Sequence, residues 1–178
     1  MTKSADIAIQ PEEWRNRTLA DLMQYIVAKH HSYLRAELPV IDALVRNLEI
    51  GNSNAAALTT LIRQFRTEME QHMKKEEAVL FPMIEKLESV TSSGEEKPRF
   101  PFGSIGHPIA VMEQEHEQAR KELAQIRIVT SDYMALPAGC GDEHSVLERL
   151  RALDNDMDIH SRLEDEILFP RAIDLEQR

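Results

Sequence analysis

A single cysteine, Cys140, stands in a chain of 178 residues. An internal disulfide, a Cys-x-x-Cys redox pair and a thiolate cluster are therefore excluded. Basic residues are the minority charge: 21 Lys and Arg against 31 Asp and Glu leave a formal net charge of −10. No local basic patch offsets that charge, so Coulomb repulsion argues against nucleic acid or an anionic membrane as a partner. Met1 to Trp14 carries acidic residues and no continuous apolar stretch, which fits neither a secretory leader nor a membrane span. The expected compartment is the cytoplasm. No segment reads as a convincing strand. What remains is a composition of 42% apolar and 29% charged residues, that of one ordinary globular domain with a real core.

Apolar residues recur at helical spacing in four stretches. Leu19, Leu22, Met23, Ile26, Val27, Leu34, Leu38, Ile41, Leu44, Val45 and Leu48 mark a first helix, with Thr18 as its N-cap. Gly51 and Asn52 supply a stop and a turn; Leu58, Leu61, Ile62, Phe65, Met69, Val79, Leu80, Met83 and Ile84 mark a second helix. Ser89 to Gly106 has neither helical nor strand period and predicts a long crossover loop. Pro108 suits the first turn of a third helix with Ile109, Met112, Ala119, Leu123 and Ile126 inward. Leu136 to Gly141 predicts its break. Asp142 is placed to cap a fourth helix carrying Val146, Leu150, Leu153, Met157, Ile167 and Leu168 on one face. The expectation is an all-α fold, an antiparallel up-down four-helix bundle over residues 18–175, preceded by an N-terminal extension, residues 1–17.

The chain repeats itself. His72-Met-Lys-Lys-Glu76-Glu-Ala-Val-Leu-Phe-Pro82 recurs as His160-Ser-Arg-Leu-Glu164-Asp-Glu-Ile-Leu-Phe-Pro170. A fainter repeat pairs His31, Arg35, Glu37 and Leu38 with His116, Arg120, Glu122 and Leu123, so the bundle reads as two duplicated helical hairpins. A residue four positions on lies one turn along the same face, so His72 with Glu76, and His160 with Glu164, each point a nitrogen and an oxygen at one site. One His-x3-Glu pair means little, since roughly one is expected by chance in so acidic a chain. The pair His144 and Glu148 is an internal control: 16 residues before His160, it lies about 160° around the helix and about 24 Å away.

The four repeated histidines pass a sharper test. Residues at one level of an antiparallel hairpin are equidistant from the turn between them. The midpoint of His31 and His72 falls between Gly51 and Asn52, that of His72 and His116 on Gly94, and that of His116 and His160 on Ala138. Each lies within a break inferred independently, so the four histidines share one layer, with Glu76 and Glu164 one turn away. Four imidazoles and two carboxylates buried together need a strong positive partner. Two metal ions supply it, bridged by Glu76 and Glu164, each taking two histidines and keeping positions open for a small ligand. Imidazole and carboxylate without thiolate suit non-haem iron, with zinc or manganese as substitutes. His31 is preferred over His30 because only His31 keeps the repeat in register, and His107 is expected at the surface. Glu68 and Glu115, which flank His72 and His116, are either solvated, the commoner fate of helical glutamates, or hydrogen-bond partners or proton relays outside the ligand set.

These residues resemble the hemerythrin-like, or HHE cation-binding, domain, and most closely its repair-of-iron-centres branch. The resemblance rests on Trp14, on His30 to Pro39, on His72 to Pro82, on Val-Met-Glu-Gln-Glu-His ending at His116, and on His160 to Pro170. It implies a di-iron centre, oxo-bridged, with ligands His31, His72, Glu76, His116, His160 and Glu164. It further implies a role in restoring iron–sulfur clusters damaged by nitric oxide or oxidants, by iron donation or nitrogen-oxide handling, with iron–sulfur proteins as partners. That branch usually carries a small N-terminal domain with a cysteine pair, and this sequence has no such pair. Oxygen-carrying hemerythrins use five histidines with one Glu and one Asp; no His-x3-His occurs here. The alternative functions are binding or sensing of oxygen or nitric oxide, and a di-iron ferroxidase or peroxidase.

Overall fold

The computed structural model describes residues 14, 16–51, 55–94, 96–101, 103–136 and 143–178. Helix α1 comprises Leu19–Ile26, a π-helical turn at Val27–His31, and Ser32–Gly51. Helix α2 comprises Ala56–Lys75, a π turn at Glu76–Leu80, and Phe81–Ser93. Helix α3 is the unbroken Gly106–Val129, and α4 comprises Glu143–Leu163, a π turn at Glu164–Leu168, and Phe169–Gln177. Together they make the all-α four-helix bundle that the periodicity predicts. Among the described residues the only strand-like pairing is one isolated bridge between Phe100 and Gly103.

Helix ends follow local chemistry. Thr18 Oγ1 accepts the Asp21 backbone N–H at 3.0 Å, and the free N–H groups of Leu19 and Ala20 are taken by the Glu88 carboxylate of α2 at 2.6 and 3.0 Å. Thr18→Ala is expected to cost about 1 kcal/mol, read as a lower urea midpoint; an unchanged midpoint would mean that Glu88 alone secures this end. The crossover loop starts five residues later than composition suggests, at Gly94 rather than Ser89. Thr91 and Ser92, polar residues that read as loop, stay helical by donating their hydroxyls to the carbonyls of Leu87 and Glu88, each at 2.8 Å. Gly94, with φ of 72°, ends α2 in the left-handed conformation. The loop is fastened to the far end of the chain: Ser104 Oγ and the Ile105 N–H donate to the Glu176 carboxylate at 2.6 and 2.9 Å.

Helix α3 ends earlier than predicted. Ser131, Asp132 and Tyr133 all have positive φ, between 47° and 60°. This strained turn is held where Tyr133 N–H donates to Thr130 Oγ1 and Tyr133 Oη donates to Asp154. The predicted turn residue Asn52, the break from residue 137 to Gly141 with its midpoint Ala138, and the cap Asp142 lie outside the described residues, as does most of the N-terminal extension. Trp14 is described and buried: its ring lies 4.7 Å from that of Tyr25, and Arg171 donates to its carbonyl at 2.7 Å.

The inward stripes predicted for α3 and α4 are all buried. On α2 Val79 departs from its stripe, being 40% exposed. The apolar core is in two parts, one around Leu38, Phe65, Leu123 and Leu153, the other around Leu22, Phe81, Ile109 and Phe169. Between them runs a polar layer made of His31, His72, Glu76, His116, His160 and Glu164, none more than 1% exposed.

Candidate metal centre

The π turns lie at this layer and aim its side chains. Pro82 and Pro170 close the two Leu-Phe-Pro repeats; lacking an N–H, neither can bond the carbonyl four residues back, and the ring crowds that carbonyl. The helix widens over the five residues that start with Glu76 and with Glu164. In α1, where Tyr33 stands at the position of those prolines, Ser32 Oγ donates to the Val27 carbonyl across the widened turn at 3.0 Å. Phe81 and Phe169, from the same repeats, stack on His31 and His116 with ring centroids 5.9 and 6.0 Å apart and planes within 11° and 8°.

All six predicted residues converge. They form two overlapping donor sets, His31, Glu76, His160 and Glu164, and His72, Glu76, His116 and Glu164, in each of which four ligand atoms lie within 4.8 Å of one another. Both glutamates belong to both sets. His31 Nε2 is 3.2 Å from His160 Nε2, and His72 Nε2 is 3.1 Å from His116 Nε2. Glu76 Oε2 lies 3.3 Å from His31 Nε2 and 3.4 Å from His72 Nε2; Glu164 lies 3.1 Å from His116 Nε2 and 3.2 Å from His160 Nε2. Each set therefore takes one histidine from each hairpin, α1 with α4 and α2 with α3.

The chemistry of this cluster fits a pair of cations. Among the described residues neither oxygen of Glu76 has a hydrogen-bond partner, nor has Glu164 Oε2, although all three are buried. A buried carboxylate without donors requires positive charge or a proton. Burial, then the neighbouring Glu164, push the Glu76 carboxyl up to about 7. Burial also acts on Glu164, but the nearby His160 and His116 overcome it and hold that carboxyl well below the usual range. Two like charges buried side by side thus divide unevenly.

Around the outside, carboxylates orient the rings. His31 Nδ1 donates to Glu77 at 2.6 Å, and Arg35 holds the same oxygen at 2.7 Å. The repeat-related pair is His116 Nδ1 with Asp165 at 2.7 Å, held by Arg120 at 3.2 Å. His72 Nδ1 donates to Glu115 at 3.0 Å, which also pairs with Lys75. A carboxylate on Nδ1 fixes the ring so that Nε2 faces inward with its lone pair free. Of the two glutamates left open by the sequence, Glu115 is such a partner; Glu68 instead accepts from Gln64. Glu77, Asp165 and Lys75 were missed, although the acid that follows Glu76 and Glu164 in both repeats is a readable sign. His144 is 90% exposed and pairs with Glu148 on its own helix, and His107 is exposed, as expected. His30 is buried outside both sets, its Nδ1 3.0 Å from Asp156.

The model of the hemerythrin HHE cation binding domain matches residues 22–172. The chain belongs to the hemerythrin HHE family. Its relatives include the protein named iron-sulfur cluster repair protein YtfE in Escherichia coli O81 (strain ED1a), 30% identical over 95% of this chain and 74% of that protein. The YtfE of Edwardsiella ictaluri (strain 93-146) is 32% identical over 92% of this chain and 70% of its own length. The buried cluster is accordingly a di-metal site of this HHE chain. Among the described residues no helix is long and apolar enough to cross a membrane.

Proposed function

We propose that this HHE protein is a cytoplasmic non-haem di-iron protein that restores damaged iron–sulfur centres by handing over iron, with oxygen and nitric oxide as its small ligands. The observation that carries the reading is the pair of donor sets sharing both glutamates: His31 and His160 would hold one ion, His72 and His116 the other, and Glu76 and Glu164 would bridge them. The absence of thiolate and the imidazole-rich donors favour iron, with zinc or manganese as substitutes. The names of the YtfE relatives supply the recipient class, iron–sulfur proteins.

Bound iron supplies redox-active centres with coordination positions open to an oxo bridge or a small ligand. The chain's residues do the rest. Glu77, Glu115 and Asp165 hold the histidine rings in one tautomer. Phe81 and Phe169 keep bulk water from two of those rings. The experiment is recovery of an oxidant-inactivated iron–sulfur dehydratase, incubated anaerobically with iron-loaded protein. Activity should return, and should not return with the Glu76→Ala variant. No recovery, while a chelator still extracts iron from the protein, would overturn donation; reversible oxygen binding would then place the chain among oxygen-binding proteins.

A further inference from the structure

The two halves of the centre are built by a repeat, and the repeat is broken at one place. Glu115 immediately precedes His116, and the residue that precedes the repeat-related His31 is His30. Lys75, which pairs with Glu115, immediately precedes Glu76; the residue before the repeat-related Glu164 is Leu163, 1% exposed and part of the apolar core. The carboxylate that supports His72 and the cation that holds that carboxylate are therefore both replaced on the opposite side, by an imidazole and an isobutyl group.

The consequence is visible at His160. Its Nδ1 is buried with no hydrogen-bond partner among the described residues, whereas the Nδ1 atoms of His31, His72 and His116 each have a carboxylate within 3.0 Å. His30 covers His160 as a parallel ring, centroids 5.4 Å apart and planes within 8°, and offers it no acceptor. Asp156, four residues before His160 on α4, is bonded to His30 instead.

A carboxylate on the outer nitrogen orients a histidine ligand and raises its basicity, and losing such a partner costs about 10–100-fold in metal affinity. The set formed by His72 and His116 has two of these carboxylates; the set formed by His31 and His160 has one. We propose that the two ions are held unequally and that the ion between His31 and His160 is the one released. This rests on the di-iron reading above and specifies which iron is the cargo: the chain keeps the ion at His72 and His116 and gives up the other.

The test follows iron, not repair activity. Protein loaded with two iron(II) ions is mixed anaerobically with excess chromogenic chelator, and crystals soaked until one equivalent remains are examined by anomalous scattering at the iron edge. Two release phases differing by about 10-fold or more are expected, with the surviving iron between His72 and His116. The Glu115→Gln variant should speed the slow phase and leave the fast one unchanged. One common release rate, equal residual occupancy, or a survivor between His31 and His160 would each overturn the inference while the di-iron reading stands. A protein that never takes up two irons would overturn that reading itself.

Discussion

Glu76→Ala will lose both metal ions, not one. Its carboxylate belongs to both donor sets, so its removal leaves each with three ligands. The loss in affinity should exceed the roughly 100-fold that an outer hydrogen-bond partner costs at most. His160→Ala strips a single set and should leave one ion. Glu148→Ala, which removes the exposed partner of His144, should leave two. Elemental analysis after dialysis distinguishes these results, and two ions retained by Glu76→Ala would refute a shared ligand. Acid should mimic the substitution. Metal binding needs Glu76 ionised, and its carboxyl takes up a proton at about 7 in the ion-free protein, so affinity should weaken as the pH falls below that value.

Phe169→Ala is expected to be the most damaging of the apolar truncations beside the centre. Phe169 is fully buried in one of the two core clusters and stacks on His116. Its removal takes away a large side chain and uncovers one face of that ring. A loss of about 3–5 kcal/mol is expected from the cavity and the lost transfer energy. Phe81, its repeat counterpart on His31, is 6% exposed and should cost less when truncated. Guanidinium denaturation of the two variants against the parent measures both. A cost below about 1 kcal/mol for Phe169→Ala would mean that the bundle closes over the gap.

Most of this architecture is written in spacing. The inward stripes of four helices and the single layer of His31, His72, His116 and His160 follow from period and from distance to the turns, because a helical hairpin is a rigid ruler. Spacing is silent wherever the helix departs from 3.6 residues per turn. The π turns at Glu76–Leu80 and Glu164–Leu168 follow from a missing N–H at Pro82 and Pro170, a cue present in both repeats but easily taken for a helix stop. Which histidines share an ion was also out of reach, since one layer of four allows several pairings, and only the packing of α1 beside α4 selects His31 with His160. The crossover loop starts later than its composition predicts because Thr91 and Ser92 satisfy their hydroxyls on the helix that carries them.

The polar layer that divides the core has a mechanical meaning. Each apolar cluster draws on all four helices, and between them the helices pass through a waist of imidazole and carboxylate side chains. Empty, that layer leaves buried carboxylate oxygens without donors; filled, it gives them a positive partner. An occupied waist is expected to make the two ends melt together as one cooperative unit, and an emptied one to let them open separately. A chain that gives away an ion from this position loosens itself in the act of delivery, and its own unfolding behaviour records how much cargo it still carries.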